Sequence, residues 1–172
     1  RELYGLLQAR SAIVITGHGA TEVEAATAGA ASATGTFDLK FVRQEPQLGT
    51  GHAVQQTAPV LENTDTDVII LSGDVPLLTS STLQELVTRH RSMRAVATVL
   101  TAIVPDPTGY GRIIRDNNGS VRAIVEHKDA TPEQLAVNEI NSGVYVVHST
   151  ELFRALANVT NSNAQGEFYL TD

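Results

Sequence analysis

Short β-branched runs recur through the first half of the chain, each followed by a glycine-containing loop and then a stretch with helical spacing. Ala12 to Ile15 ends at Gly17-His18-Gly19, and Thr21 with Glu24 has the spacing of a capping box over an alanine-rich helix. Leu39 to Val42 reads as a second strand, Gly49-Thr50-Gly51 as its loop, and His52 to Leu61 as its helix, ended by Pro59. Val68 to Leu71 is the most apolar run and predicts a central strand buried on both faces. After Gly73-Asp74-Val75-Pro76, Ser81 and Gln84 form a second capping pair for a helix around Leu83 to Arg91, and Ala95 to Ala102 is the next strand. Strands alternating with helices in this way imply right-handed crossovers. The expected architecture is α/β: a Rossmann-like, mixed but mostly parallel sheet with helices on both faces.

Beyond Pro105 the rhythm changes. Gly111 to Arg115 and Val121 to Val125 flank a turn containing Asn118-Gly119, which predicts an inserted β-hairpin subdomain. Thr131-Pro132-Glu133-Gln134 combines an N-cap, a proline at the first helical position and a capping-box glutamine. Ile140 to Val147 resumes the strand pattern and Glu151 to Ala157 the helical one, while the leucines of Arg1 to Leu7 suit the last turns of an amphipathic helix. No repeat or linker divides the 172 residues, close to the roughly 150 expected of one domain, so the expectation is a single domain over residues 1–172.

Composition narrows the chemistry. With 12 Lys and Arg against 19 Asp and Glu, the net charge of −7 argues against a nucleic-acid partner, since no basic surface is available to neutralise phosphates. No apolar run approaches the roughly 18 residues of a spanning helix, which argues against a membrane partner. Cysteine is absent, excluding disulfides, thiolate zinc sites and cysteine nucleophiles. The five histidines show no paired metal-ligand spacing, and no nucleophile elbow occurs.

In an open α/β sheet, ligands bind outside the carboxyl ends of the strands, where Asp74 follows the most apolar run. A carboxylate there either holds Mg²⁺ against substrate phosphates, because magnesium takes only one or two protein carboxylates, or caps the loop before Pro76. Gln47-Leu48-Gly49-Thr50-Gly51-His52 puts bare backbone N–H groups between a strand and a helix, fit for a base or phosphate or simply for a tight turn. Gly109-Tyr110-Gly111-Arg112 either lets backbone approach a ligand or opens a hairpin strand. Glu126-His127-Lys128-Asp129 is a polar ligand site or an exposed ion-pair patch.

Six blocks taken in order carry a resemblance: Gln44 with Gln47 to Ala53, Gly73 to Leu77, Asp106 to Arg112, Val125 to Thr131, Glu139 to Gly143, and Asn163 to Asp172. Together they resemble the uridyltransferase domain of bacterial N-acetylglucosamine-1-phosphate uridyltransferases, with a GT-A-like nucleotidyltransferase fold. The resemblance implies a cytoplasmic enzyme that transfers UMP from UTP to N-acetylglucosamine 1-phosphate, giving UDP-N-acetylglucosamine and pyrophosphate for cell-envelope synthesis. It implies that Gln44, Gly49 and Thr50 read the nucleotide, that Gly111, Glu126 and Asn141 hold the sugar, and that Asp74 is the catalytic metal ligand for Mg²⁺. The sugar phosphate would attack the α-phosphorus in line, already ionised and without a protein base. Ser72 stands where many relatives have tyrosine. The family's glycine-rich triphosphate loop, its second metal ligand, and the β-helix through which full-length relatives trimerise and acetylate have no counterpart in these residues, so impaired turnover is expected. Two other readings remain open: a nucleotidyltransferase for another base or sugar, and a noncatalytic fragment that binds sugar nucleotides.

Overall fold

The computed structural model describes residues 9–32, 38–75 and 77–172; the expected helix at Arg1 to Leu7 lies outside them. Strands and helices alternate in chain order as β1 (Ser11–Thr16), α1 (Ala20–Ser32), β2 (Asp38–Arg43), α2 (Thr50–Gln55), α3 (Ala58–Leu61), β3 (Asp67–Ile70), α4 (Ser80–Met93) and β4 (Ala97–Ile103). The hairpin strands β5 (Arg112–Arg115) and β6 (Val121–Val125) follow, then α5 (Pro132–Leu135), β7 (Glu139–His148) and α6 (Ser149–Leu156).

β1 and β2 form a parallel two-stranded sheet. The remaining five strands form a second sheet organised around β7, which pairs with β3, β4 and β5. The mixed α/β class therefore stands, but the expected predominance of parallel pairs does not hold among the described residues. Every pairing recorded in the larger sheet is antiparallel. The cause is topological: β7 enters after the hairpin, runs against β3 and β4, and separates them. β3 is likewise not central, because only its β7 edge is paired among the described residues, and all four of its residues are half-buried.

Period-two alternation distributes the core between two faces. Leu83, Leu86 and Val87 of α4 pack on Val144 and Val146, with Ile69 and Leu100 alongside. On the opposite face Leu152, Phe153 and Leu156 of α6 meet Val54 of α2, with Val68, Ile70 and Val147. Adjacent residues of β3 and β7 thus point to opposite helices, which is the geometry of a sheet covered on both sides.

Local sequence signals succeed where the cap is unambiguous. Thr131 and Gln134 form both bonds of a capping box, and Asp116 Oδ1 accepts the amides of Asn118 and Ser120 in the hairpin turn, where Gly119 has φ of 82°. Other caps are displaced. Thr79, not Ser81, accepts the Thr82 amide at the start of α4. Thr21 lies inside α1, whose first amides bond the carbonyls of Gly17 and Gly19, while Glu24 turns to Thr16 and Arg43. Pro59 sits at the second position of the separate helix α3 instead of ending a long one, since the amides of a helix's first turn have no partner within the helix and a proline there leaves none unbonded.

Two outcomes test this packing. Leu83 is fully buried, and Leu83→Ala is expected to lower unfolding free energy by about 2–5 kcal/mol in urea titrations. A loss below about 1 kcal/mol would remove α4 from the core. Arg115 grips Glu139 through two bonds of 2.8 and 2.6 Å, and that pairing holds the Glu139 carboxyl below its ordinary range despite partial burial. A depressed folded-state value stabilises above the unfolded value and loses that contribution as pH falls through the folded one. Arg115→Gln should thus cost up to about 1 kcal/mol near neutrality, a deficit that fades below about pH 4. An equal deficit at pH 7 and pH 3 would reject the assignment.

Candidate functional site

Gln44 is buried just past the carboxyl end of β2, fixed by its amide bonding the Thr16 carbonyl at 2.8 Å. Its side-chain Nε2 donates to the Gly49 carbonyl at 2.9 Å and lies 3.0 Å from His52 Nδ1, while no hydrogen bond engages Oε1 among the described residues. Gln44 thus braces the Gly49 loop and keeps one acceptor for a ligand. At Gly49, φ is 109° and a Cβ would lie 2.6 Å from the Phe168 carbonyl, so only glycine fits. The Gly51 amide donates to that carbonyl at 2.8 Å, the Phe168 amide donates to Leu48, and the Leu170 amide donates to Thr50 Oγ1 at 3.0 Å. The strap of residues 163–171 is thereby stitched to the loop.

The same strap reaches the second wall of the cleft, where Thr171 Oγ1 donates to Glu126 Oε1 at 2.9 Å. Glu126 follows β6, and Gly111 precedes β5 on the paired strand. A Cβ on Gly111 would approach the Glu126 carboxylate oxygens to 3.2 and 3.3 Å, which explains the absence of a side chain. The Gly111 carbonyl accepts the Asn141 amide at 2.9 Å, bringing Gly111, Glu126 and Asn141 together. Asn141 is partly engaged internally: Nδ2 donates to the Tyr145 hydroxyl at 2.6 Å and Oδ1 accepts the Gly143 amide at 3.0 Å. One N–H and one lone pair remain for a ligand. Burial, and secondarily the Glu126 charge, pushes the Tyr145 hydroxyl up to about 12, so it stays protonated.

Asp74 lies in an exposed turn beyond β3, and no hydrogen bond or ion pair engages its carboxylate among the described residues. Ser72 Oγ, two residues earlier, donates to the Gly143 carbonyl at 3.3 Å, which anchors this turn to β7 near Asn141. No group of three or more His, Cys, Asp or Glu residues suited to a metal occurs among the described residues. A lone free carboxylate nevertheless fits magnesium, which keeps several waters and takes substrate oxygens for the rest of its shell.

Sequence reasoning left several neighbours unassigned. Residues Gly109, Glu126, His127, Lys128, Gln165 and Tyr169 line a cavity of about 160 Å³ beside the Glu126 wall. The Tyr169 hydroxyl in it is buried beside Gln165, and Nε of the buried Arg112 has no hydrogen-bond partner among the described residues. The strap was marked in the sequence as the last block of the resemblance, without a role; in the structure the Asn163 side chain accepts the Gln165 and Glu167 amides to form its turn. A larger cavity, about 330 Å³, lies at the amino end of β3 among Asp67, His90 and Arg91. It is at the wrong end of the strand for a ligand site of this topology.

The strap thus joins the loop after β2 to the hairpin residues Gly111 and Glu126, and residues 6–172 match the sequence profile of the family described as nucleotidyl transferase. The chain belongs to that family. It is similar to the bifunctional protein GlmU of Acidovorax sp. (strain JS42), 58% identical over 166 residues, covering 96% of this chain and 34% of that protein. It is also similar to the bifunctional protein GlmU of Brevibacillus brevis, 48% identical with the same coverage. The chain thus spans about a third of the length of these relatives. Among solved structures, UDP-glucose pyrophosphorylase complexed with UDP-glucose has a TM-score of 0.69 at 19% identity, covering 99% of this chain and 71% of the other. The apo form of UDP-glucose pyrophosphorylase has a TM-score of 0.73 at 18% identity over 99% of this chain and 70% of the other. At such identities the likeness defines the fold alone. No helix of the described residues is long and apolar enough to cross a membrane.

Gly49→Ala tests the stitching of loop to strap. The strained φ and the collision with the Phe168 carbonyl should cost about 1–3 kcal/mol and speed amide exchange at Gly51, Phe168 and Leu170. Unchanged exchange at those three amides would show that the loop and strap are independent.

Proposed function

We propose that this cleft transfers UMP from UTP to N-acetylglucosamine 1-phosphate, releasing pyrophosphate and forming the cell-envelope precursor UDP-N-acetylglucosamine. The observation that carries the reading is the single strap that ties a glycine-loop pocket at Gln44, Gly49 and Thr50 to a carboxylate wall at Gly111, Glu126 and Asn141. The similarity to GlmU proteins favours this reaction over other sugar-phosphate transfers.

In this reading the base lies against the Gly49 loop, where Gln44 Oε1 accepts from it and backbone replaces side chains. Glu126 accepts from sugar hydroxyls through the oxygen that Thr171 leaves free, and Asn141 offers its remaining N–H to an acceptor on the sugar. Asp74 would hold Mg²⁺, which supplies charge neutralisation for the phosphates. The protein's own contribution is positioning: the sugar phosphate is ionised at neutral pH, so the residues need only align its oxygen with the α-phosphorus and exclude water.

The deciding experiment measures pyrophosphate release with Mg²⁺, UTP and N-acetylglucosamine 1-phosphate, against other nucleoside triphosphates and glucose 1-phosphate. The uridine and N-acetylglucosamine pair should have the largest kcat/KM. In a chain restored to the full length of its relatives, Asp74→Asn should reduce kcat at least about a hundredfold, the scale lost with a group that stabilises transition-state charge. Equal turnover with other pairs would reject the substrate reading, and an unchanged Asp74→Asn rate would reject the metal ligand.

A further inference from the structure

Arg112 stands at the start of β5 with 1% exposure, yet no carboxylate pairs with it within salt-bridge distance among the described residues. Its guanidinium reaches a neutral pair of acceptors instead: it donates to the Tyr110 carbonyl and lies 3.4 Å from His127 Nδ1, while Nε has no partner among the described residues. Asp106 feels its charge through space without a direct bond, and a buried cation with no carboxylate bonded to it is costly, which marks Arg112 as a group with a task beyond packing.

His127 shows what that task is. Its Nδ1 faces the Gly109 backbone N–H at 3.3 Å as well as the Arg112 guanidinium. Both partners can only donate: a backbone amide has no lone pair to offer, and arginine remains protonated in proteins. A ring nitrogen that meets two obligate donors must be bare, which puts the imidazole proton on Nε2. No hydrogen bond engages Nε2 among the described residues. The ring lines the 160 Å³ cavity together with Glu126, Lys128, Gln165 and Tyr169.

We propose that Arg112 is a positioning residue that fixes His127 as its Nε2–H tautomer, so that this ring donates a hydrogen bond to an acceptor oxygen of the sugar phosphate bound beside Glu126. The identity of that ligand rests on the reaction proposed above; the tautomer does not. The sequence gives the pair its geometry, because Arg112 on β5 and Val125 on β6 are paired residues, and His127 follows Val125 by two. The hairpin register thus delivers the guanidinium beneath the imidazole.

The test reads the tautomer directly, by long-range proton–nitrogen correlation of the imidazole signals in the ligand-free chain, and the contact by titration with N-acetylglucosamine 1-phosphate. In the wild type, His127 should show a bare Nδ1 and a protonated Nε2. Arg112→Met leaves only the Gly109 amide on Nδ1, and should lower the Nε2–H population and weaken binding about fivefold, the scale of one neutral hydrogen bond. His127→Gln, whose amide nitrogen can occupy the Nε2 position, should bind within about twofold of the wild type, whereas His127→Asn, which mimics only the Nδ1 side, should lose about fivefold. The asparagine and glutamine pair decides the contact even where Arg112→Met does not fold. A wild-type proton on Nδ1, or equal affinities for the asparagine and glutamine variants, overturns the proposal. Failure of the wild type to bind the sugar phosphate while showing the expected tautomer overturns the ligand and the reaction reading together, and is told apart by the spectrum.

Discussion

The pairing capacity of β7 governs the molecule. Its ten residues run between β3 and β4 at one end and meet β5 at the other, so one strand fixes the register of three. The changeover falls where Gly143 adopts φ of 74°, and a Cβ there would lie 2.4 Å from Ser72 Oγ. The site follows from this break. Asn141 lies just before it and bonds the hairpin at Gly111, while Ser72 bonds the bend itself and thereby fixes the turn that carries Asp74. A strand with uninterrupted pairing would have no place for either contact.

Burial and charge divide the work of the cleft between its walls. On the loop side, backbone groups dominate: glycines approach the Phe168 carbonyl closely, and Gln44 holds the loop by its amide nitrogen. On the hairpin side, charged and ring side chains dominate, with Glu126, Lys128, His127 and the buried Arg112 within one short segment and its paired strand. Such a separation suits a ligand with a flat, neutral end and a polyhydroxyl or anionic end.

Much of this was legible in the sequence. The hairpin, the Thr131 capping box and the two helices that cover the sheet follow from turn chemistry and period, which act locally. The sheet order did not, because the position of β3 depends on which strands reach its edges, and a run of valine and isoleucine states only that it is apolar. The carboxylate wall was legible through its resemblance to a family, whereas Glu126-His127-Lys128-Asp129 alone was equally an exposed charge patch. The role of Arg112 and His127 was hidden, since it requires knowing that residues of two strands lie opposite each other.

The strap of residues 163–171 has a mechanical consequence. Because it zips to the Gly49 loop by backbone and to Glu126 through Thr171, the two halves of the cleft share one rigid tie. Widening either half would strain the bonds that the strap makes to the other, so a bulkier group forced against the hairpin side would drag on the loop facing it, as in a caliper with a fixed jaw.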